Sequence, residues 1–293
     1  MLKSKGERKI MSLIEVKGLN KFYAGFELSD ISFEIPAGYI LGYVGQNGAG
    51  KTTTLNSIMN LTTPDSGEIR IDGITFDEDP IKYREMIGYI GDENYFPKTY
   101  NIKNVRTVLA DFYPTFDKKV FDDYISRWNL PINKKIEDFS RGMKVKLMFA
   151  AVLARETKVL ILDEATNGLD PMMRADILKL LQDFIADGER SIIFSTHIME
   201  DLQNIADYIF FIDNGRKVFF EAKDELLENY LIVKGGPDDL TSDLKKHIIG
   251  VETNSFGFSG LVKTDGGYLL PSELEVEKPT IDQIIIHEIE ERR

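Results

Sequence analysis

The chain has 293 residues, 43% hydrophobic and 29% charged, with a formal net charge of −12 and no cysteine. That balance fits a globular fold with a sizeable buried core. The missing thiols exclude disulfides and thiolate metal sites, and the acidic charge disfavours nucleic-acid backbones and anionic lipid surfaces.

Residues 1–12 read as a flexible leader, because Lys3, Lys5, Arg8 and Lys9 precede no apolar stretch. From Leu13 to about Tyr230 short apolar runs alternate with helix-like stretches, the pattern of an α/β core. Strands are predicted at Leu28–Ile35, Tyr39–Val44, Met86–Ile90, Val159–Leu162, Ser191–Ser195 and Tyr208–Ile212. Helices are predicted at Ile102–Phe112, Asp117–Trp128 and Ser140–Ala154, and they define a helical insert over about 95–155. Asn214-Gly215 supplies the two positive φ angles of a hairpin turn between Asp207–Asp213 and Arg216–Phe220. Gly235-Gly236-Pro237 is expected to end the main domain, with an accessory segment over 235–293. That segment carries Gly266-Gly267 turn chemistry and a final helix over Thr280–Arg293. The longest apolar run, Leu147–Ala154, has eight residues, against about twenty for a membrane-spanning helix.

Gly45-Gln46-Asn47-Gly48-Ala49-Gly50-Lys51-Thr52, followed by Thr53, fits G-x-x-x-x-G-K-[ST] between a strand and a helix. Glycines there let backbone N–H groups converge on phosphate oxygens, and a helix N-terminus adds its positive dipole end. Lys51 is placed to reach the β- and γ-phosphates of a nucleotide, and the Thr52 hydroxyl to ligate Mg²⁺. Downstream, Val159-Leu160-Ile161-Leu162 delivers Asp163 and Glu164 at a strand's C-terminal end. Asp163 is the second candidate Mg²⁺ ligand, and Glu164 the candidate general base that activates water.

Further motifs, in order, make residues 13–234 resemble the nucleotide-binding subunit of an ATP-binding cassette (ABC) transporter. Phe139-Ser140-Arg141-Gly142-Met143 is similar to the family's signature motif. Asn167-Gly168-Leu169-Asp170 is similar to the loop after the acidic strand, and Ser195-Thr196-His197 to the switch histidine. Tyr23 matches the aromatic that stacks on adenine. The resemblance implies a P-loop NTPase core with an antiparallel β subdomain, an inserted α-helical subdomain and a small α+β C-terminal extension. It also implies a γ-phosphate contact from His197, and a site around Ser140 and Gly142 facing the nucleotide of a second nucleotide-binding subunit, in a homo- or heterodimer. On their own residues, Ser140 reads first as an N-cap, His197 as a structural or solvated histidine and Tyr23 as core or surface filler, and Asp170 reads equally as a cap before Pro171.

Two positions depart from the family. Arg141 stands where glycine is usual, and Asp92 where the family has a glutamine that contacts Mg²⁺ and relays motion to the membrane subunit. Asp92 is therefore either a third metal ligand or a residue facing the transmembrane partner. The stretches Ser140–Leu147 and Pro279–Ile285 resemble the branch that pairs with separately encoded export permeases. The implied protein is an ATPase peripheral on the inner face of the cell membrane, using ATP and Mg²⁺ and no other metal, and binding no nucleic acid. Two alternatives are a cassette ATPase of soluble machinery and an ATP-binding regulatory module. The first predicts two cassettes or a long coiled-coil insert; the second is motivated by Asp92 and Arg141.

Overall fold

The computed structural model describes residues 12–264 and 269–292. The expected leader and the Gly266-Gly267 turn lie outside the described residues, the leader in all but its last residue.

Nine strands form one sheet: β1 (Ser12–Tyr23), β2 (Phe26–Pro36), β3 (Ile40–Val44), β4 (Ser66–Ile71), β5 (Ile87–Gly91), β6 (Val159–Asp163), β7 (Ser191–Ser195), β8 (Tyr208–Asp213) and β9 (Arg216–Ala222). Their order is β4-β1-β2-β9-β8-β3-β7-β6-β5. The run from β8 to β5 is parallel, whereas β4, β1 and β2 pair antiparallel. Strand alternation divides the core between the two faces of this sheet. Leu160 and Leu162 of β6 join the cluster beneath the helical insert, and Val159 and Ile161 join the cluster shared with β1 and β2.

Helix α1 (Lys51–Ile58) follows β3, and α2 (Pro80–Met86) precedes β5, so Met86 closes a helix rather than opening the predicted strand. Three helices lie between β5 and β6: α3 (Ile102–Phe112), α4 (Lys118–Arg127) and α5 (Arg141–Leu153). Each begins on a side chain that accepts a free backbone N–H, from Asn101, Asp117 and Ser140 respectively. Arg106 clamps α3 to α4 through a two-pronged ion pair with Asp122, at 2.7 and 2.8 Å. Helices α6 (Pro171–Ile185) and α7 (Met199–Ile205) follow β6 and β7. The β8–β9 hairpin turns on Asn214 (φ 45°) and Gly215 (φ 73°), as the dipeptide requires.

After α8 (Lys223–Glu228), a second antiparallel sheet forms from β10 (Tyr230–Gly235), β11 (Ile248–Asn254), β12 (Gly257–Lys263) and β13 (Glu275–Glu277), in the order β11-β12-β10-β13. The change of sheet therefore falls before Tyr230, ahead of the Gly-Gly-Pro break. The last helix, α9 (Ile281–Glu291), is capped by Thr280 and Gln283. Its Ile281, Ile284 and Ile285 join the main core cluster together with Tyr230, Ile232 and Leu261.

Candidate functional site

The parallel strands β3, β7, β6 and β5 end side by side, so the residues just past them gather at one sheet edge, where open α/β sheets hold ligands. A cavity of about 840 Å³ opens there. Its walls include Gln46, Asn47, Gly48, Gly50, Lys51, Thr52 and Thr53 from the glycine loop, and Asp92, Asp163, Glu164 and His197 from the other strand ends.

The loop is shaped by glycine where no other residue fits. Gly48 (φ 82°) and Gly50 (φ 111°) take left-handed backbone, and a side chain on Gly45 would start 2.4 Å from the Ile212 carbonyl oxygen. Ala49 is buried behind the loop. The buried Tyr43 hydroxyl donates to Thr54 Oγ1 at 3.0 Å, and Thr54 donates to the Gly50 carbonyl at 3.1 Å, fixing the start of α1. Lys51 folds back, its Nζ donating to the Gly45 and Gln46 carbonyls at 2.7 and 3.2 Å. Burial lowers the Lys51 pKa, while the nearby Glu164 and Asp163 carboxylates pull it back up. A cation held partly out of water at the start of α1 suits a phosphate.

Thr52 Oγ1 donates to Asp163 Oδ2 at 3.3 Å. Burial raises the Asp163 carboxyl above its ordinary value, against the hydrogen bond from Thr52. This hydroxyl–carboxylate pair is an all-oxygen donor set, the chemistry a magnesium ion prefers. Glu164 sits in left-handed backbone at φ 55°. Its Oε2 lies 2.9 Å from His197 Nδ1 and accepts from Asn167 Nδ2 at 3.0 Å and from the His197 backbone N–H at 3.3 Å. Asn167 is on the cavity wall, and its Oδ1 is buried without a hydrogen-bond donor among the described residues.

Not every predicted residue lines this cavity. Tyr23 lies outside its lining, half exposed at the end of β1, with the Lys21 ammonium 5.6 Å from its ring centre. The aromatics that do line it are Phe26 and Tyr89. Ser140 is an N-cap whose Oγ accepts from the Met143 N–H at 3.3 Å, and Asp170 caps α6 in the same way at 3.0 Å. Gly142 packs against α6, where a side chain would meet Met173 Sδ at 2.6 Å. Ser140 and Gly142 both stand away from the cavity walls. Asp92 is on the wall, and its carboxylate pairs with the Arg141 guanidinium. Sequence reasoning missed Phe26, Tyr89, Glu93 and Asn167 as wall residues. The signal for Asn167 was its place three residues after Glu164 in a tight turn, where its N–H bonds the Glu164 carbonyl at 3.2 Å.

Residues 28–167 match the family model described as ABC transporter. The ABC transporter ATP-binding protein YtrB of Bacillus subtilis is 33% identical over 223 residues, covering 76% of each chain. The chain belongs to the ABC transporter ATP-binding family. It is the ATP-binding, ATP-hydrolysing subunit of an ABC transporter. The Nod factor export ATP-binding protein I of Rhizobium leguminosarum bv. viciae is 30% identical over 240 residues, covering 78% of this chain and 77% of that one. Among solved structures, an ATP-binding subunit of an ABC transporter superposes with a TM-score of 0.68 at 27% identity, covering 73% of this chain and 92% of its own. CbiO1 of Clostridium perfringens, part of the ABC transporter complex cbiONQ, gives 0.63 at 28%, covering 73% of this chain and 90% of its own. The P-loop NTPase fold of these ABC subunits is therefore the fold of this chain. No helix among the described residues is long and apolar enough to cross a membrane.

Proposed function

We propose that this ABC subunit is the motor of an exporter, working as a dimer of nucleotide-binding subunits on a separately encoded permease at the inner face of the membrane. The observation that carries the reading is the gathering of Lys51, Thr52, Asp163, Glu164 and His197 around one cavity. In this reading residues 13–234 are the ATPase domain, 95–155 its helical insert and 235–293 an accessory segment. The glycine loop and Lys51 hold the triphosphate, and Tyr23 stacks on adenine. Thr52 and Asp163 would hold Mg²⁺, with Asp92 in the same cleft, and the ion would supply neutralisation of the phosphate charge.

Glu164 takes a proton from the attacking water, and the water's oxygen displaces ADP at the γ-phosphorus. His197 and Asn167 fix the Glu164 carboxylate through three contacts to Oε2, which leaves Oε1 to face the water. Ser140 and Gly142, off the walls of their own cavity, are available to a nucleotide held by a second subunit. Export rather than import is favoured by the Nod factor export relatives and by the sequence of α5. The test is ATP binding and hydrolysis by the purified chain beside Lys51→Ala. Binding that depends on Lys51 is expected; equal nucleotide affinity in the two proteins would overturn the assignment.

A further inference from the structure

The two positions that depart from the family pattern meet in the fold. Asp92 follows β5 and Arg141 opens α5, and the Arg141 guanidinium donates to Asp92 Oδ1. The arginine passes beside Gly168 (φ 64°) in the loop after β6, within ordinary contact distance. Asp92 also lines the cavity that holds Thr52 and Asp163. Its carboxylate thus belongs at once to the nucleotide cleft and to the first residue of the helical insert's last helix.

The pair is half in water, with side-chain exposures of 40% for Arg141 and 51% for Asp92. Ion pairs this exposed hold weakly and exchange easily. A divalent cation entering between Thr52 and Asp163 would attract the Asp92 carboxylate and repel the guanidinium on it. Without the metal, the same guanidinium screens Asp92 from the negative phosphates.

We propose that Arg141 is a positioning residue for Asp92 and surrenders it to the metal, so that metal binding in the nucleotide cleft unlatches the start of α5. The inference rests on the reading of this cavity as the Mg²⁺·ATP site. It assigns the departures at positions 92 and 141 to one device, a metal-responsive strap between the cleft and the helical insert.

The test is the affinity of the full chain for a fluorescent ATP analogue, measured once with MgCl₂ and once with EDTA. The ratio of the two affinities is the coupling between metal and nucleotide. Arg141→Ala should raise that ratio about two- to fivefold, the range of an exposed ion pair. It should do so chiefly by weakening binding in EDTA, where Asp92 is left bare. Arg141→Lys should return the ratio toward wild type, and in an Asp92→Asn background Arg141→Ala should no longer change it. An unchanged ratio in Arg141→Ala, or the same change with and without Asp92, overturns the strap while leaving the nucleotide site standing. A wild-type chain that binds no analogue under either condition overturns the site itself, and the strap with it.

Discussion

Glu164 Oε2 and His197 Nδ1 stand 2.9 Å apart, joining the ends of two neighbouring parallel strands. While the carboxylate is ionised, it selects the imidazole tautomer with its proton on Nδ1. Nε2 is then an acceptor, on a side chain that is 66% exposed. One contact therefore orients the candidate base and leaves the histidine's second ring nitrogen as an acceptor on an exposed side chain of the cavity wall.

His197→Ala should leave ATP affinity nearly unchanged and lower turnover by roughly 10- to 100-fold, since it removes one of the two side chains holding Glu164. Steady-state ATPase rates paired with nucleotide titrations check this. Equal losses in affinity and turnover would make His197 a binding residue instead.

Tyr23 offers a half-exposed ring at the end of β1, outside the cavity lining, with its neighbour Phe22 tied by its N–H to Asp65 at 2.7 Å. Tyr23→Ala should weaken ATP by ~1–3 kcal/mol, the scale of base–aromatic stacking. Inorganic tripolyphosphate, which has no base, should bind both proteins alike. Parallel losses for the two ligands would move the stacking role to Phe26, the aromatic already on the wall.

Much of this site was legible because its parts are local. The Ile102–Phe112 helix keeps its predicted bounds because Asn101 and Asn104 close a capping box at one end and Pro114 follows at the other. The Asn214-Gly215 turn likewise needs nothing beyond its own backbone. Strand β1 was harder, since its pairing with β2 shifts register between Val16 and Leu19, around Gly18 at φ 57°. That shift breaks the alternation a strand is recognised by. The pairing of Tyr230–Gly235 with β12 and β13 rests on residues far along the chain, so local spacing does not show which sheet that strand joins. The Asp92–Arg141 pair joins residues 49 positions apart, a distance that residue spacing cannot bridge.

The accessory segment shares the main core through α9, so damage there should register throughout the fold. Ile284 is fully buried, and Ile284→Ala should cost ~2–5 kcal/mol in denaturant unfolding. ATP affinity of the folded protein should be unaffected, because α9 contributes nothing to the cavity wall. Nucleotide loss in a folded Ile284→Ala protein would contradict a purely stabilising role.

Asp207 gives a pH signature away from the chemistry. Its carboxylate accepts from the Ile40 N–H at 2.8 Å, tying β3 to the start of β8. Burial raises its pKa above the ordinary 3.8, opposed by that hydrogen bond and by Lys223. The folded chain thus holds this proton more tightly than the unfolded chain. The resulting stability is complete below about pH 3.8 and is lost as pH rises through the raised folded value. The melting temperature of wild type, taken relative to Asp207→Asn, should therefore fall across that interval and level off above it. Parallel melting curves would remove Asp207 from the pH response.

Turnover of ATP by Glu164→Gln tests the account at its centre, because the amide preserves size and hydrogen-bonding reach while removing the proton acceptor. The variant should bind ATP as wild type does, lose roughly 10²-fold or more in turnover, and accumulate an ATP-bound dimer visible by light scattering. A Glu164→Gln protein that hydrolyses ATP at the wild-type rate would contradict the assignment of the base.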